Sequence, residues 1–343
     1  MGSDPTGLTR PPIRPGYRPA VSAQRRVALL VGAVAVAAVA VVGAAVLSSD
    51  GDSAGAPTEP TELRAGRPPL SFALGFRTDP EARDLTRGAV RYQRGDTDAA
   101  AALFARHDSL EAKVGAAFAA WPDGALDRLE QLAKLYPGVA VVQLHLGLAR
   151  LWANVGDPTE AWRETLEAEP DTPYAIVAGN LLHPGLPRGL PAFIPSFTAP
   201  AAISKLPPAR QLEALRRAAD RGGVREQLLY GVGLQRVGRT VSAARAFDEA
   251  AQRFPNEVEA QVAGAVGQFD KDAPEKAFGR LGPLSKTHPD EPSVRFHLGV
   301  LLLWTGRIQG AERQFRLAMR AQPGSPLARE ADRYLETIRK ARS

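Results

Sequence analysis

The chain has 343 residues, 44% of them hydrophobic, which is enough for one large or two modest cores. Cysteine is absent, excluding a disulfide framework, a thiolate metal site and a cysteine nucleophile. The net charge is +6, but residues 1–26 hold five arginines against one aspartate; the nearly neutral remainder lacks the basic stripe that phosphate binding needs, so nucleic acid is not an expected partner.

Residues 1–26 are rich in Arg and Pro and poor in large apolar groups. They read as a disordered tail, because too little surface is available to offset the ordering entropy. Val27 to Leu47 then carries no charged or polar side chain. At about 1.5 Å rise per residue this stretch matches the hydrocarbon thickness of a bilayer. Five arginines precede it, and Asp50, Asp52, Glu59 and Glu62 follow it. Positive-inside bias puts the N-terminus in the cytoplasm and the remainder outside the plasma membrane, as a single-pass anchor. Cleavage near Ala54–Ala56, as a secretory signal, is the alternative. Ala33, Ala37, Ala40 and Ala44 share one face of that helix. Small residues so spaced permit close helix association and weak homo-oligomerisation.

Residues 48–69 read as a flexible spacer of Ser, Gly, Ala, Pro, Thr and acidic residues. Apolar content resumes at Leu70–Phe76, where a short strand and a first helical turn are both open. Divergent helix pairs are expected over 79–181. One covers Gly88, Gly95, Ala100 and Phe104; the next runs from Ala112 to Trp121 and from Ala125 to Tyr136. Leu126, Leu129, Leu132 and Leu135 form an apolar stripe of helical period. The last pair carries Gly147, Gly156, Ala161, Ala168 and Pro173.

Residues 182–208 interrupt the pattern. The segment holds Gly-Leu-Pro twice and then Phe193, Ile194 and Phe197 among further prolines. Proline excludes a helix interior, and the composition is too apolar for a solvated linker. An extended segment packed on something is expected. Two readings stay open: a loop that contacts a partner, or an insertion folded onto the helices and joining two sub-arrays.

Helices resume at Arg210, and residues 209–323 become periodic. Ala243, Ala277 and Ala311 are 34 residues apart, as are Pro255, Pro289 and Pro323. Gly306 repeats Gly238, and Phe315 repeats Phe247, at twice that interval. A fixed period of this length means stacked helix pairs. Alanine lets helices approach, phenylalanine fills the gap between pairs, and the turn glycine avoids a Cβ. The middle unit has Asp272 in place of that glycine. Residues 324–343 read as a capping helix with Leu327, Ala331, Tyr334, Leu335 and Ile338 inward.

These positions resemble the tetratricopeptide repeat, closely over about 100 residues and more loosely over the preceding helices. Together with the Arg-over-Lys bias, the chain looks like a bacterial-type repeat protein with an N-terminal membrane anchor. The resemblance implies an all-α, right-handed solenoid of helix pairs whose concave face binds proteins or peptides. Repeat proteins of this kind that clamp C-terminal carboxylates line the groove with Lys and Asn. The matching positions here are Leu228, Val232, Val262, Val266, Phe296 and Val300, with Arg236, Phe269 and Trp304 at the edge. The clamp is therefore missing. These residues either form an open apolar strip or pack between adjacent helices.

Chemistry is sparse. None of His107, His145, His183, His288 and His297 stands in a metal-ligand spacing. His297 lies in a first helix, where it faces the groove or plays a structural part. No phosphate loop, nucleophile elbow or zinc motif is present. The expected object is a membrane-anchored, extracytoplasmic scaffold without catalysis or cofactor. Its rivals are a structural homo-oligomer and the recognition arm of an enzyme.

Overall fold

The computed structural model describes residues 66–342. The tail, the apolar stretch 27–47 with its alanine stripe, and most of the expected spacer lie outside the described residues. Among the described residues, no helix is long and apolar enough to cross a membrane.

The described chain is all-helical, with two extended segments. The first half holds α1 (Pro80–Arg94), α2 (Thr97–Phe104), α3 (Leu110–Ala119), α4 (Ala125–Leu135), α5 (Ala140–Ala153), α6 (Pro158–Ala168) and α7 (Pro173–Leu182). The second holds α8 (Ala201–Ser204), α9 (Pro208–Arg221), α10 (Val224–Arg236), α11 (Thr240–Arg253), α12 (Val258–Gly267), α13 (Glu275–Thr287), α14 (Pro292–Trp304), α15 (Ile308–Ala321) and α16 (Pro326–Arg342). Consecutive helices pack against each other as pairs, and the first helices of neighbouring pairs also touch.

Local chemistry explains the helix ends. Asp79, Ser109, Asp157 and Thr172 each cap a helix by accepting a backbone N–H of its first turn. Pro80, Pro158, Pro173 and Pro292 occupy first-turn positions, where the missing N–H costs nothing. Gly238 and Gly306 turn the chain at φ +75° and +73°, the left-handed region that an L side chain resists. Asp272 replaces such a glycine by another device: its N–H donates to Asp270 Oδ1 at 2.9 Å, closing an Asx turn.

Four of the six pairs pack by one rule. A first-helix glycine lies against a second-helix aromatic ring: Gly88 on Phe104, Gly147 on Trp162, Gly231 on Phe247 and Gly299 on Phe315. Ala243, Ala277 and Ala311 are buried where the paired helices meet. The 34-residue period thus marks the second-helix contact in α11, α13 and α15. In α4 the leucine stripe is only partly inward. Leu129 is buried, but Leu135 at the helix end is 71% exposed.

The two halves are copies of one plan. An extended segment precedes three helix pairs and a closing helix, α1–α7 in one half and α10–α16 in the other, where α8 and α9 come between the segment and the first pair. Gly88, Gly95, Ala100 and Phe104 correspond to Gly231, Gly238, Ala243 and Phe247. His-Leu-Gly at 145–147, followed by Trp152, recurs as His297-Leu-Gly299 followed by Trp304. Each half has its own hydrophobic core. The joint between them is polar. Asp171 accepts from the Ser242 N–H at 3.0 Å and pairs with Arg239 at 3.2 Å. Lys271 Nζ donates to Asn180 Oδ1 at 2.8 Å and to the Pro187 carbonyl at 3.1 Å.

Candidate functional site

The face formed by the first helices of the second half carries a strap, the segment Pro191–Phe197. Helices α10, α12 and α14 each supply one polar side chain to its main chain. Gln235 of α10 holds Phe193 twice: its Oε1 accepts the Phe193 N–H at 2.9 Å, and its Nε2 donates to the Phe193 carbonyl at 3.1 Å. His297 of α14 accepts the Ile194 N–H at Nε2, 3.0 Å away. Glu259 of α12 accepts from the Ser196 N–H at 2.6 Å and from its hydroxyl at 2.9 Å. The Arg225 guanidinium lies 5.1 Å over the Phe197 ring.

The strap runs antiparallel to α10. Gln235 and Arg225 are separated by about 15 Å of helix, and Phe193 to Phe197 covers about 13 Å of extended chain. An extended peptide cannot satisfy its own backbone, so buried donors and acceptors on it need partners. Side chains of the helices meet that need here.

His297 has a fixed tautomer. Nδ1–H donates to the Ser293 carbonyl at 2.7 Å, which leaves Nε2 free to accept. Burial pushes the imidazole down to about 4, so it is neutral at pH 7. Its ring stacks on Phe193 at 5.0 Å, and Phe193 meets Phe247 edge-on at 5.3 Å. Burial raises the Glu259 carboxyl, and the bonds from Ser196 oppose that rise.

The first half repeats the arrangement. His145 donates from Nδ1 to the Val141 carbonyl at 2.6 Å and accepts the Ser71 N–H at Nε2, at 3.3 Å. Burial pushes it, too, down to about 4. Leu70, like Phe193, is buried just before the bonded amide. The Tyr174 hydroxyl accepts the Ala73 N–H at 3.0 Å. The Tyr92 hydroxyl donates to the Pro68 carbonyl at 2.7 Å, and the Trp121 indole donates to the Gly66 carbonyl at 2.9 Å. Leu70–Phe76 is thus neither strand nor helix, and the last residues of the expected spacer, 66–69, are held by side-chain bonds.

The two candidate sites read from the sequence meet each other. Leu228, Val262, Val266, Phe269, Phe296, Val300 and Trp304 are buried, and they share a core with Phe193 and Ile194. Phe296 faces Phe315 of α15 and Tyr334 of the closing helix α16, with centroids 5.8 and 5.9 Å away. Val232, Arg236 and Phe197 stay half-buried. The apolar strip is therefore covered, and the proline-rich loop turns inward onto it. Phe247 was marked by its repeat at Phe315, whereas Gln235 and Glu259 had no signal in local periodicity. The 152-residue step between the two His-Leu-Gly-x4-Trp motifs is the sequence feature that singles out His145 and His297 together. Among the described residues, no group of three or more His, Asp or Glu is placed to hold a metal ion.

No protein-family model matches the chain, and no curated protein matches it. Among solved structures, it is similar to the crystal structure of yeast Tom70, with 14% identity over 81% of this chain and 67% of that one. The TM-score of 0.29 is too low for that likeness to bear on fold or function.

Proposed function

We propose that this protein is a scaffold that works by protein–protein contact, held outside the plasma membrane by residues 27–47, with its N-terminus in the cytoplasm. One observation carries the reading. Three successive first helices present Gln235, Glu259 and His297 to the main chain of an extended polypeptide. Such a face recognises protein by backbone geometry and apolar side chains. The resemblance to tetratricopeptide repeats agrees with it. The two most deeply buried histidines spend both ring nitrogens on structure, which supports a role without catalysis.

Phe197, Val232 and Arg236 mark the accessible rim for a partner. A photo-crosslinking residue at 197 or 232, in the full chain in native membranes, tests this. The expected product is a discrete adduct with a second protein that re-forms from purified components. Adducts only between copies of this chain would make it a self-assembling envelope element. Absence of any adduct at both positions would end the scaffold reading. Digestion of an N-terminal tag by protease added to intact cells would overturn the topology.

A further inference from the structure

We infer that the strap Pro191–Phe197 is a releasable latch over the first-helix face, exchanged for a partner's extended segment of the same chemistry: aromatic, aliphatic, proline, small hydroxyl. The inference deepens the scaffold reading and rests on it.

Four observations converge. The strap is held as a ligand is held, by side chains that grip its main chain. Gln235, Glu259 and His297 all come from helices distant in sequence. Phe193 and Ile194 drive side chains into the core beside the buried Pro191 and Pro195, while Ser196 is exposed and Phe197 is half-buried at the end of the strap. No helix begins until Ala201 and none continues past Leu182, so the strap can leave without unwinding a helix. Finally, the first half closes the same face with an unrelated apolar sequence around Leu70 and Ser71, again through a histidine Nε2. Two equivalent faces, each covered by an extended apolar segment through a histidine Nε2, make such a segment the class of occupant this face is built for.

The occupant's chemistry follows from the contacts. The ring that meets Phe247 and His297 calls for an aromatic residue. The next residue supplies the amide for His297. A residue two further on supplies the N–H and hydroxyl for Glu259.

Hydrogen exchange on the intact protein tests release directly. The amides of Phe193, Ile194 and Ser196 are expected to exchange together, at least tenfold faster than those of Val300 and Leu301 in α14. Exchange of both sets at one rate would make the strap permanent core and overturn the latch. The occupant is tested with a labelled synthetic peptide of residues 190–198. The absence of native cysteine makes Ser196→Cys with Glu259→Cys a unique pair for a short thiol cross-linker. Cross-linking is expected to lower peptide affinity at least tenfold against the same protein before cross-linking; equal affinity overturns exchange. Phe193→Ala, which weakens the strap and leaves the face intact, is expected to bind the peptide at least tenfold more tightly than the wild type. A folded Phe193→Ala protein that does not bind the peptide overturns the latch. If that variant does not fold, the cross-linking comparison decides. Doubled mass through strap exchange between copies would overturn a separate partner as the occupant. Failure of the latch leaves rim crosslinks at Phe197 intact, so the scaffold reading falls or stands by its own test.

Discussion

His297 stacks on the ring of Phe193 at 5.0 Å and 20° while its Nε2 takes the N–H of the next residue, Ile194. One imidazole thus fixes both the side chain and the backbone of the strap. The hydrogen bond requires the neutral ring: a protonated Nε2 faces the Ile194 N–H with a second hydrogen and a charge in the core. His145 stands under the same constraint with Ser71.

Acid therefore loosens both halves. The unfolded imidazoles titrate near 6.5, the folded ones at about 4. Above pH 6.5 neither state binds the proton, and stability is independent of these groups. As pH falls below 6.5, the unfolded chain takes up protons that the folded chain refuses, so stability drops until pH reaches about 4. By pH 5.5 the loss is about 1.4 kcal/mol per histidine. The urea midpoint is expected to be lower at pH 5.5 than at 7.5. Glu259 works the other way, since its raised carboxyl contributes most in acid and loses its contribution as pH rises. The double variant His145→Gln/His297→Gln is expected to flatten or reverse the trend. A midpoint that is the same at both pH values in the wild type contradicts the buried neutral imidazoles.

Glycine positions separate close approach from chain freedom. A Cβ on Gly299 would lie 2.7 Å from Phe315 Cε1, inside contact distance. Gly299→Ala is expected to cost about 1–3 kcal/mol, as overpacking does. Gly279, inside α13, has nothing within 4 Å of its would-be Cβ. Gly279→Ala is expected to stabilise by about 0.5–1 kcal/mol, because alanine surrenders less backbone entropy in a helix. Chemical denaturation of the two variants reads opposite signs if the pair geometry is right.

The helix pairs were legible because their cause is local. Alanine at a 34-residue step, glycine at the turns and proline at the second-helix ends all act within one unit, and Ala243, Ala277, Gly238 and Gly306 play those parts. The strap was not legible. Ile194 and His297 are 103 residues apart, and nothing periodic joins an extended segment to the helices it crosses. The proline content of residues 182–208 pointed to an extended, packed segment without telling on what; 183–200 are non-helical, while Ala201–Ser204 form a short helix. Leu228, Val262 and Val300 looked like groove or core alike, since an apolar side chain under a strap has the same sequence as one under solvent. The second copy of the plan hid because α2 has 8 residues where its counterpart α11 has 14, breaking the 34-residue step in the first half.

Trp304, like Trp162, carries the cost of an unpaired indole N–H. It is fully buried, and its Nε1–H meets no acceptor among the described residues. An unmade buried hydrogen bond costs about 1–3 kcal/mol, a loss already present in the native protein. Trp304→Phe removes that loss along with some volume, so a net change within about 1 kcal/mol is expected. Trp304→Ala is expected to cost about 3–5 kcal/mol. Equal, large losses in both variants would show that Nε1 has an acceptor in solution.

Gln235 distinguishes a two-way grip from simple packing. Its amide both accepts from and donates to Phe193, at 2.9 and 3.1 Å. Gln235→Ala leaves both main-chain groups without that partner, at a cost of about 1–3 kcal/mol. Gln235→Glu keeps the shape and the acceptor. At pH 7 it sets a carboxylate oxygen against the Phe193 carbonyl, and two acceptors repel. A protonated carboxyl restores the donor, so the folded state favours the proton and raises this group above its unfolded value. Stability of Gln235→Glu is then fully present below the unfolded carboxyl range and is lost as pH rises through the raised value. The variant is expected to gain on the wild type as pH falls from 7.5 to 5.5, opposite to the histidine-driven trend. If its urea midpoint simply parallels that of the wild type, the Gln235 Nε2 does not donate to the Phe193 carbonyl.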